Sequence, residues 1–303
     1  MNNFKSSVLL IFYLVNFSNV FAQANLLNAL VPQEIGQLNE QQLATSDNEP
    51  LAYGYVDDRD VMWSKTIWEK IDLDERINFP FYYPVENVDP TRKPLFDVLL
   101  EAIKAGSITE VYTDGYFRNK KSLEEIEETL FVQNMTEQGT DKYNAGEELT
   151  EEDYVSTRVT AYDIKEYWIK GTWYFDKRLG ELKYRMLGIA PISPDVNFIK
   201  DYEKNQTSDD QQEFVELFWV WFPSAREALN NSEIFNSRNA SQPVTFDLML
   251  NSRRFNSIIF KEENPYNDRE IKEYIYEDAL RQLLESERIK NVIRDYEQDM
   301  WNN

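Results

Sequence analysis

A chain of 303 residues with 32 lysines and arginines against 54 aspartates and glutamates has a formal net charge of −22, and it contains neither histidine nor cysteine. Without histidine it lacks the commonest general base and metal ligand; without cysteine it lacks thiol nucleophiles, disulfides, thiolate zinc sites and iron–sulfur clusters. The acidic surplus repels phosphate backbones and anionic lipid, so nucleic acid and direct membrane insertion are excluded as partners, while 42% apolar residues and 14% aromatics exclude disorder of the whole.

The first 22 residues hold one charge, Lys5, then an apolar run from Val8 to Val15 and the sequence Val20-Phe21-Ala22, the pattern of a secretory signal peptide cut before Gln23. The alternative, an uncleaved anchor, is disfavoured because the run is short and interrupted, and no later stretch reaches about 18 apolar residues. No cysteine follows to accept lipid, so the chain itself cannot become a lipoprotein. Residues 23–50 are rich in Gln, Asn and Glu, the composition of an extended or disordered arm. Leu26, Leu27, Ala29 and Leu30 can form one amphipathic turn within it that docks on a partner; a solvated linker is the other reading.

Trp63, Ile67, Trp68 and Ile71 recur at helical spacing and predict a helix over residues 63–73 that buries two tryptophans, with Ser64 as a possible cap. Pro80 and Pro84 bracket Phe81-Tyr82-Tyr83, which reads as an extended edge or loop. A second helix is predicted from about Pro94 to Lys104, with Leu95, Val98, Leu99 and Ile103 on one face and Gly106 as its stop. Residues 108–117 alternate around Asp114-Gly115, a short strand and turn. Ser122 followed by Glu125 is a capping-box signature opening a third helix to about Val132.

The stretch 134–154 is polar, with Gly139, Gly146 and a run of acids, and divides an N-terminal α+β part (51–133) from a C-terminal one (155–303) as a linker or excursion. Lys165–Phe175 and Glu181–Ile189 are aromatic or β-branched runs joined by Asp176-Lys177-Arg178-Leu179-Gly180, a hairpin signal. Phe214–Phe222 is nearly continuous in apolar character and predicts one strand buried on both faces; Pro223-Ser224 then opens a helix through Ala228. Polar loops at 201–212 and 236–243 separate these parts. Phe246–Leu250 reads as helix, Ser257–Lys261 as strand and Asn264-Pro265 as a turn. The final helix, roughly Tyr276–Trp301, places Leu280, Leu283, Leu284, Ile289, Val292, Ile293, Tyr296 and Met300 on its apolar face. The fold class is α+β: antiparallel strands with segregated helices and a long C-terminal helix, without internal repeats.

Composition leaves glycoside cleavage open, since it needs only two carboxylates and aromatic rings for sugar stacking. Glu110 with Asp114, and Glu213 with Glu216, are nominal pairs, but such pairs arise by chance at this acid content and solvated strand or loop acids explain them more simply. Asp57, Asp58 and Asp60 can gather round a hard cation, but the glycine and distal glutamate of a calcium loop are missing and Arg59 sits inside the cluster, so capping a following helix is the competing role. Phosphate loops, serine elbows and dinucleotide fingerprints are absent. Asn134 and Asn205 lie in N-x-[ST] triplets that carry no weight without a eukaryotic secretory setting. Phe218-Trp219-Val220-Trp221-Phe222 reads as a sugar platform or a membrane wedge, or, more simply, as a buried strand.

The segments Tyr53-Gly54-Tyr55-Val56-Asp57-Asp58-Arg59-Asp60, Trp63-Ser64-Lys65-Thr66-Ile67-Trp68, Trp173-Tyr174-Phe175-Asp176-Lys177-Arg178, Leu217-Phe218-Trp219-Val220 and Asn251-Ser252-Arg253-Arg254-Phe255 resemble the gliding-motility GldN family. The resemblance continues through Asp295-Tyr296-Glu297-Gln298-Asp299-Met300-Trp301 and extends to the PorN proteins of type IX secretion systems and the paralogous GldO group. It implies a non-enzymatic periplasmic subunit that forms a ring with an outer-membrane lipoprotein of the GldK or PorK kind. It further implies contact with the inner-membrane, motor-linked GldM or PorM kind, and peripheral attachment to the outer membrane through the lipoprotein. No residue-level motif carries over, so no catalytic, cofactor-binding or metal-binding residue is assigned. The rival from the residues alone is a periplasmic glycan-binding or glycan-hydrolysing protein that uses paired carboxylates.

Overall fold

The computed structural model describes residues 50–85, 93–146, 148, 150–197, 214–234, 244–276 and 278–301. The predicted leader at 1–22, residues 23–49 of the predicted arm, the predicted loops at 201–212 and 236–243, and Glu213 and Asn205 lie outside the described residues.

The strands among them are β1 (Val61–Asp72), β2 (Val111–Tyr112), β3 (Phe131–Met135), β4 (Tyr154–Arg158), β5 (Glu166–Asp176), β6 (Glu181–Pro194), β7 (Phe214–Glu216), β8 (Trp219–Trp221), β9 (Glu233–Ile234), β10 (Val244–Thr245) and β11 (Ile258–Glu262). The helices are α1 (Phe79–Tyr82), α2 (Leu95–Lys104), α3 (Leu123–Leu130), α4 (Glu137–Ala145), α5 (Phe222–Asn230), α6 (Phe246–Asn251), α7 (Ile271–Tyr274) and α8 (Ala279–Trp301). Seven strands make one antiparallel sheet in the order β11-β1-β5-β6-β8-β2, with β7 beside β8 on the same edge of β6; β3 pairs with β4 and β9 with β10. The chain is α+β with a long C-terminal helix, as the sequence predicts.

The hairpin β5–β6 is the spine of the sheet, and its link closes on Gly180 in the left-handed region (φ +65°), where only glycine is unstrained. The predicted helix at 63–73 is corrected: these residues form β1, paired along its length with β5 and over Ile67–Lys70 with β11. Trp63, Ile67, Trp68 and Ile71 fit a helical period, but Ile67, Trp68 and Glu69 are buried in succession, as in a strand covered on both faces, and the aromatic and β-branched content suits that setting. Trp68 is buried, whereas Trp63 is half-exposed and stacks on Tyr296 of α8 with ring centroids 4.6 Å apart.

The Phe81-Tyr82-Tyr83 segment is also corrected. Phe79–Tyr82 is one helical turn with Pro80 at its start, where proline lacks no hydrogen bond, and Phe81 is fully buried. The capping box holds: Ser122 Oγ accepts from Glu125 N at 3.3 Å and Glu125 Oε2 accepts from Ser122 N at 2.7 Å. Helix α3 nevertheless ends at Leu130, and the chain passes directly into β3. Phe214–Phe222 is not one strand: Leu217 and Phe218 interrupt it, so β7 and β8 take separate places along β6, and Phe222 starts α5.

Register decides which side chains share a face. One face carries Ile71, Tyr167, Ile169, Ile189 and Val220, which pack with α2, α3, α5 and α6 into the main core. Ile67 and Ile259 meet Ile271 of α7 and Ile289 and Ile293 of α8 in a second cluster. The expected apolar face of α8 is therefore corrected: Ile289 and Ile293 are its buried apolar positions, while Leu280 and Leu284 are 68% and 60% exposed. The other face of the sheet holds Trp68, Ala190, Ile192 and Trp219, joined by Tyr112, Phe117, Trp168 and Phe260. The turn at 113–119 lays Phe117 across it, so close to Gly188 that a Cβ built there would stand 2.4 Å from the phenyl Cζ.

Candidate functional site

On this second face lies a cleft of about 1030 Å³ that crosses the sheet from β7 to β11, with α7 and the start of α8 on its far side. Strand β5 alternates, so Glu166, Trp168 and Lys170 share this face while Tyr167 and Ile169 enter the core. Antiparallel register sets Lys70 of β1 opposite Trp168, and Glu216 of β7 opposite Ile192 of β6.

The Trp168 indole Nε1 donates to Glu166 Oε2 at 2.9 Å, Lys70 Nζ stands 3.5 Å from Glu166 Oε1, and the Trp168 ring lies 4.6 Å from that of Phe260 at an interplanar angle of 44°. Glu216 is half-buried and accepts a hydrogen bond from Trp219 Nε1. Burial raises its carboxyl pKa despite that bond, and the nearby charges of Glu270 and Asp114 push the same way while Lys261 opposes them. Beside the cleft, Lys170 Nζ and Lys261 Nζ sit 4.6 and 4.9 Å from the Trp68 ring centroid. Lys170 also donates to the Gly115 carbonyl at 2.9 Å, and burial lowers its ammonium pKa.

Of the acids singled out in the sequence, Asp114 and Glu216 are brought into this one cleft. Glu110 is not: it is held by Lys120 at 2.6 Å and by the Tyr112 hydroxyl, which hold its pKa below the usual value. Asp114 also closes its own turn, accepting from Tyr116 N at 2.7 Å. Asp57, Asp58 and Asp60 do not converge. Asp57 caps the 3-10 turn Asp58–Asp60 and pairs with Arg59 at 2.8 Å, Asp60 pairs with Arg178 at 2.9 Å, and the element that follows is β1 rather than a helix. Among the described residues, no group of three or more acidic side chains is placed to hold a metal ion. Phe218, Trp219 and Phe222 are buried, so the aromatic run is core.

Sequence reasoning missed Trp168, Phe260 and Glu270. The alternation of residues 166–170 carried the signal for Trp168. Phe260 and Glu270 arrive only through the pairing of β11 with β1 and the bridge between Lys261 and Glu270.

Fold and site together define an α+β protein with one sheet face committed to its core and the other bearing a smaller aromatic cluster beside an open cleft. Among the described residues, no helix is long and apolar enough to cross a membrane. The family model of the gliding motility associated protein GldN matches residues 56–302, and the chain belongs to that family. As a member it is a component of the gliding-motility and type IX secretion apparatus. A comparison with curated proteins finds no match.

Proposed function

We propose that the chain is a non-enzymatic structural subunit that assembles in the periplasm into a ring with an outer-membrane lipoprotein of the GldK or PorK kind, self-associates within that ring and contacts an inner-membrane, motor-linked protein of the GldM or PorM kind. The family match over residues 56–302 carries this reading. The leader pattern at 1–22 supports export, and the lack of cysteine makes a lipoprotein partner the route to the outer membrane. Affinity purification from detergent-solubilised envelopes tests it: co-recovery of a lipoprotein and a motor-linked protein is expected, and recovery of a lone monomer overturns it. Deleting residues 23–50 separates the roles of the arm, since unchanged co-purification makes it a linker.

One observation favours the rival glycan reading: Asp114 and Glu216 share the cleft with Trp168. Against it, Phe260 packs on the Trp168 ring and the indole nitrogen is tied to Glu166, which leaves a poor platform for a sugar. Release of reducing ends from peptidoglycan, lost on replacement of Glu216 by glutamine, would establish the rival.

A further inference from the structure

The cleft is a mostly apolar groove, built from Trp168, Phe214, Ile258, Phe260, Ile271 and Leu283, with four carboxylates at its walls: Asp114, Glu166, Glu216 and Glu270. Its two lysines are already engaged, Lys70 with Glu166 at 3.5 Å and Lys272 with Glu270 at 3.0 Å. Asp114 and Glu216 form no ion pair with a lysine or arginine among the described residues; their hydrogen-bond donors are Tyr116 N and Trp219 Nε1. The groove therefore offers aromatic and aliphatic surface with negative charge that is compensated only at a distance, by Lys261 toward Glu216 and by Lys170 toward Asp114. That combination suits the long alkyl stem and cationic head of lysine or arginine.

The molecule uses the same chemistry beside the cleft, where Lys170 and Lys261 rest over Trp68 and Tyr116 at 4.6 to 5.1 Å from the ring centroids. A volume of about 1030 Å³ exceeds one side chain and stands at the upper end of the range for ligand-binding clefts. Phe214 and Leu283, each 43% exposed, carry the apolar lining outward to the rim.

We infer that this cleft receives an extended segment of a partner protein in which lysine or arginine is interspersed with apolar residues, the cationic heads meeting Glu216 and Asp114 and the apolar side chains lying against Phe260, Phe214 and Leu283. The inference deepens the assembly reading by naming the chemistry of a partner segment, and rests on that reading for the ligand being a protein. Basic and apolar residues must both occur within a few positions of each other, since Glu216 and Phe214, two residues apart on β7, present charge and apolar surface on the same face.

The probe is a fluorescein-labelled hexapeptide of alternating lysine and leucine, acetylated and amidated, titrated by anisotropy against the full mature chain. Its glutamate–leucine counterpart and chito-oligosaccharide serve as competitors. Glu216→Gln keeps the acceptor for Trp219 and weakens lysine-peptide binding about threefold to tenfold, as expected for loss of a partly desolvated charge contact. Leu283→Ala, at an exposed helical position, weakens it severalfold without touching a charge. Glu181→Gln, at a side chain 61% exposed on β6, leaves binding unchanged. Equal weakening by Glu181→Gln would reduce the effect to general attraction to an acidic chain and overturns the inference. So does binding of the glutamate peptide, or of chito-oligosaccharide in place of the lysine peptide. Envelope co-purification of the same proteins keeps the two readings apart: partners recovered without peptide binding sink the cleft alone, and no partners recovered sinks the assembly.

Discussion

Glu69 lies in the middle of β1, 1% exposed, with its carboxylate gripped by Arg253: Nη2 donates to Oε1 at 2.7 Å and Nη1 to Oε2 at 2.9 Å, while Ser257 Oγ donates to Oε1 at 2.9 Å. The guanidinium sits 4.2 Å from the Tyr184 ring centroid and joins the segment after α6 to the centre of the sheet. Glu69→Gln keeps the shape, removes the charge and strands a guanidinium in a mostly apolar setting. Breaking a buried pair from one side costs about 3–5 kcal/mol. Because the Arg253 side chain is 23% exposed, water offsets part of this loss, and the lower end of that range applies. At about 2 °C per kcal/mol for a chain of this size, the melting temperature falls by roughly 6 °C. Calorimetric unfolding of Glu69→Gln, Arg253→Gln and the double variant measures it. The double variant is expected to be more stable than the sum of the single losses by at least about 1 kcal/mol. A Glu69→Gln shift below about 2 °C, or strict additivity, refutes the claim that the pair locks α6 to the sheet.

Asp153 accepts from Thr150 N at 2.8 Å and from Lys142 Nζ at 2.7 Å, and these donors bring its pKa down to about 2. A depressed carboxyl stabilises the fold above its ordinary pKa and loses that effect as pH falls toward about 2, so Asp153→Asn should speed amide exchange in β3 and β4 at neutral pH and match the parent near pH 2. Glu216 runs the other way: its raised pKa favours the folded state while protonated, and the contribution is lost as pH rises through the folded value. Glu216→Gln should thus melt at least as high as the parent at pH 7, with the difference shrinking below the ordinary glutamate range; a variant less stable at every pH counts against the burial argument. A Cβ at Gly171 would stand 2.1 Å from the Tyr184 hydroxyl oxygen; Gly171→Ala should lower stability by about 1–3 kcal/mol in urea unfolding, and a neutral result would mean that Tyr184 moves aside freely. Ser122→Ala removes the α3 cap and should lower stability by about 1 kcal/mol in the same assay.

What could be read in advance was local chemistry. Helix α2 follows from Leu95, Val98, Leu99 and Ile103 at helical spacing and from Gly106 at its end, which adopts φ +75°. The cap of α3 and the hairpin through Gly180 are likewise fixed within a few residues of sequence. Strand β1 is not: Trp68 becomes strand because Lys170 and Lys261, from distant parts of the chain, pair on either side of it, and its apolar spacing fits both periods. The same nonlocality hid the cleft, whose walls at Glu216, Phe260 and Glu270 meet only once the sheet is assembled. Helix α8 was legible as a helix but not in its exposure, because Leu280 and Leu284 point away from the one strip that Ile289 and Ile293 press onto the sheet.

The alternation along β5 also separates two kinds of heritable change. Substitutions at Tyr167 and Ile169 are judged by whether the protein survives folding, since both side chains are sealed among the helices. Substitutions at Glu166 and Trp168, one residue along the same strand, reshape the cleft lining and give up the contacts with Lys70 and Phe260. Every second residue of one strand thus answers to the core and the residues between answer to the cleft, so the lining of the groove is set without exchanging a side chain among the helices.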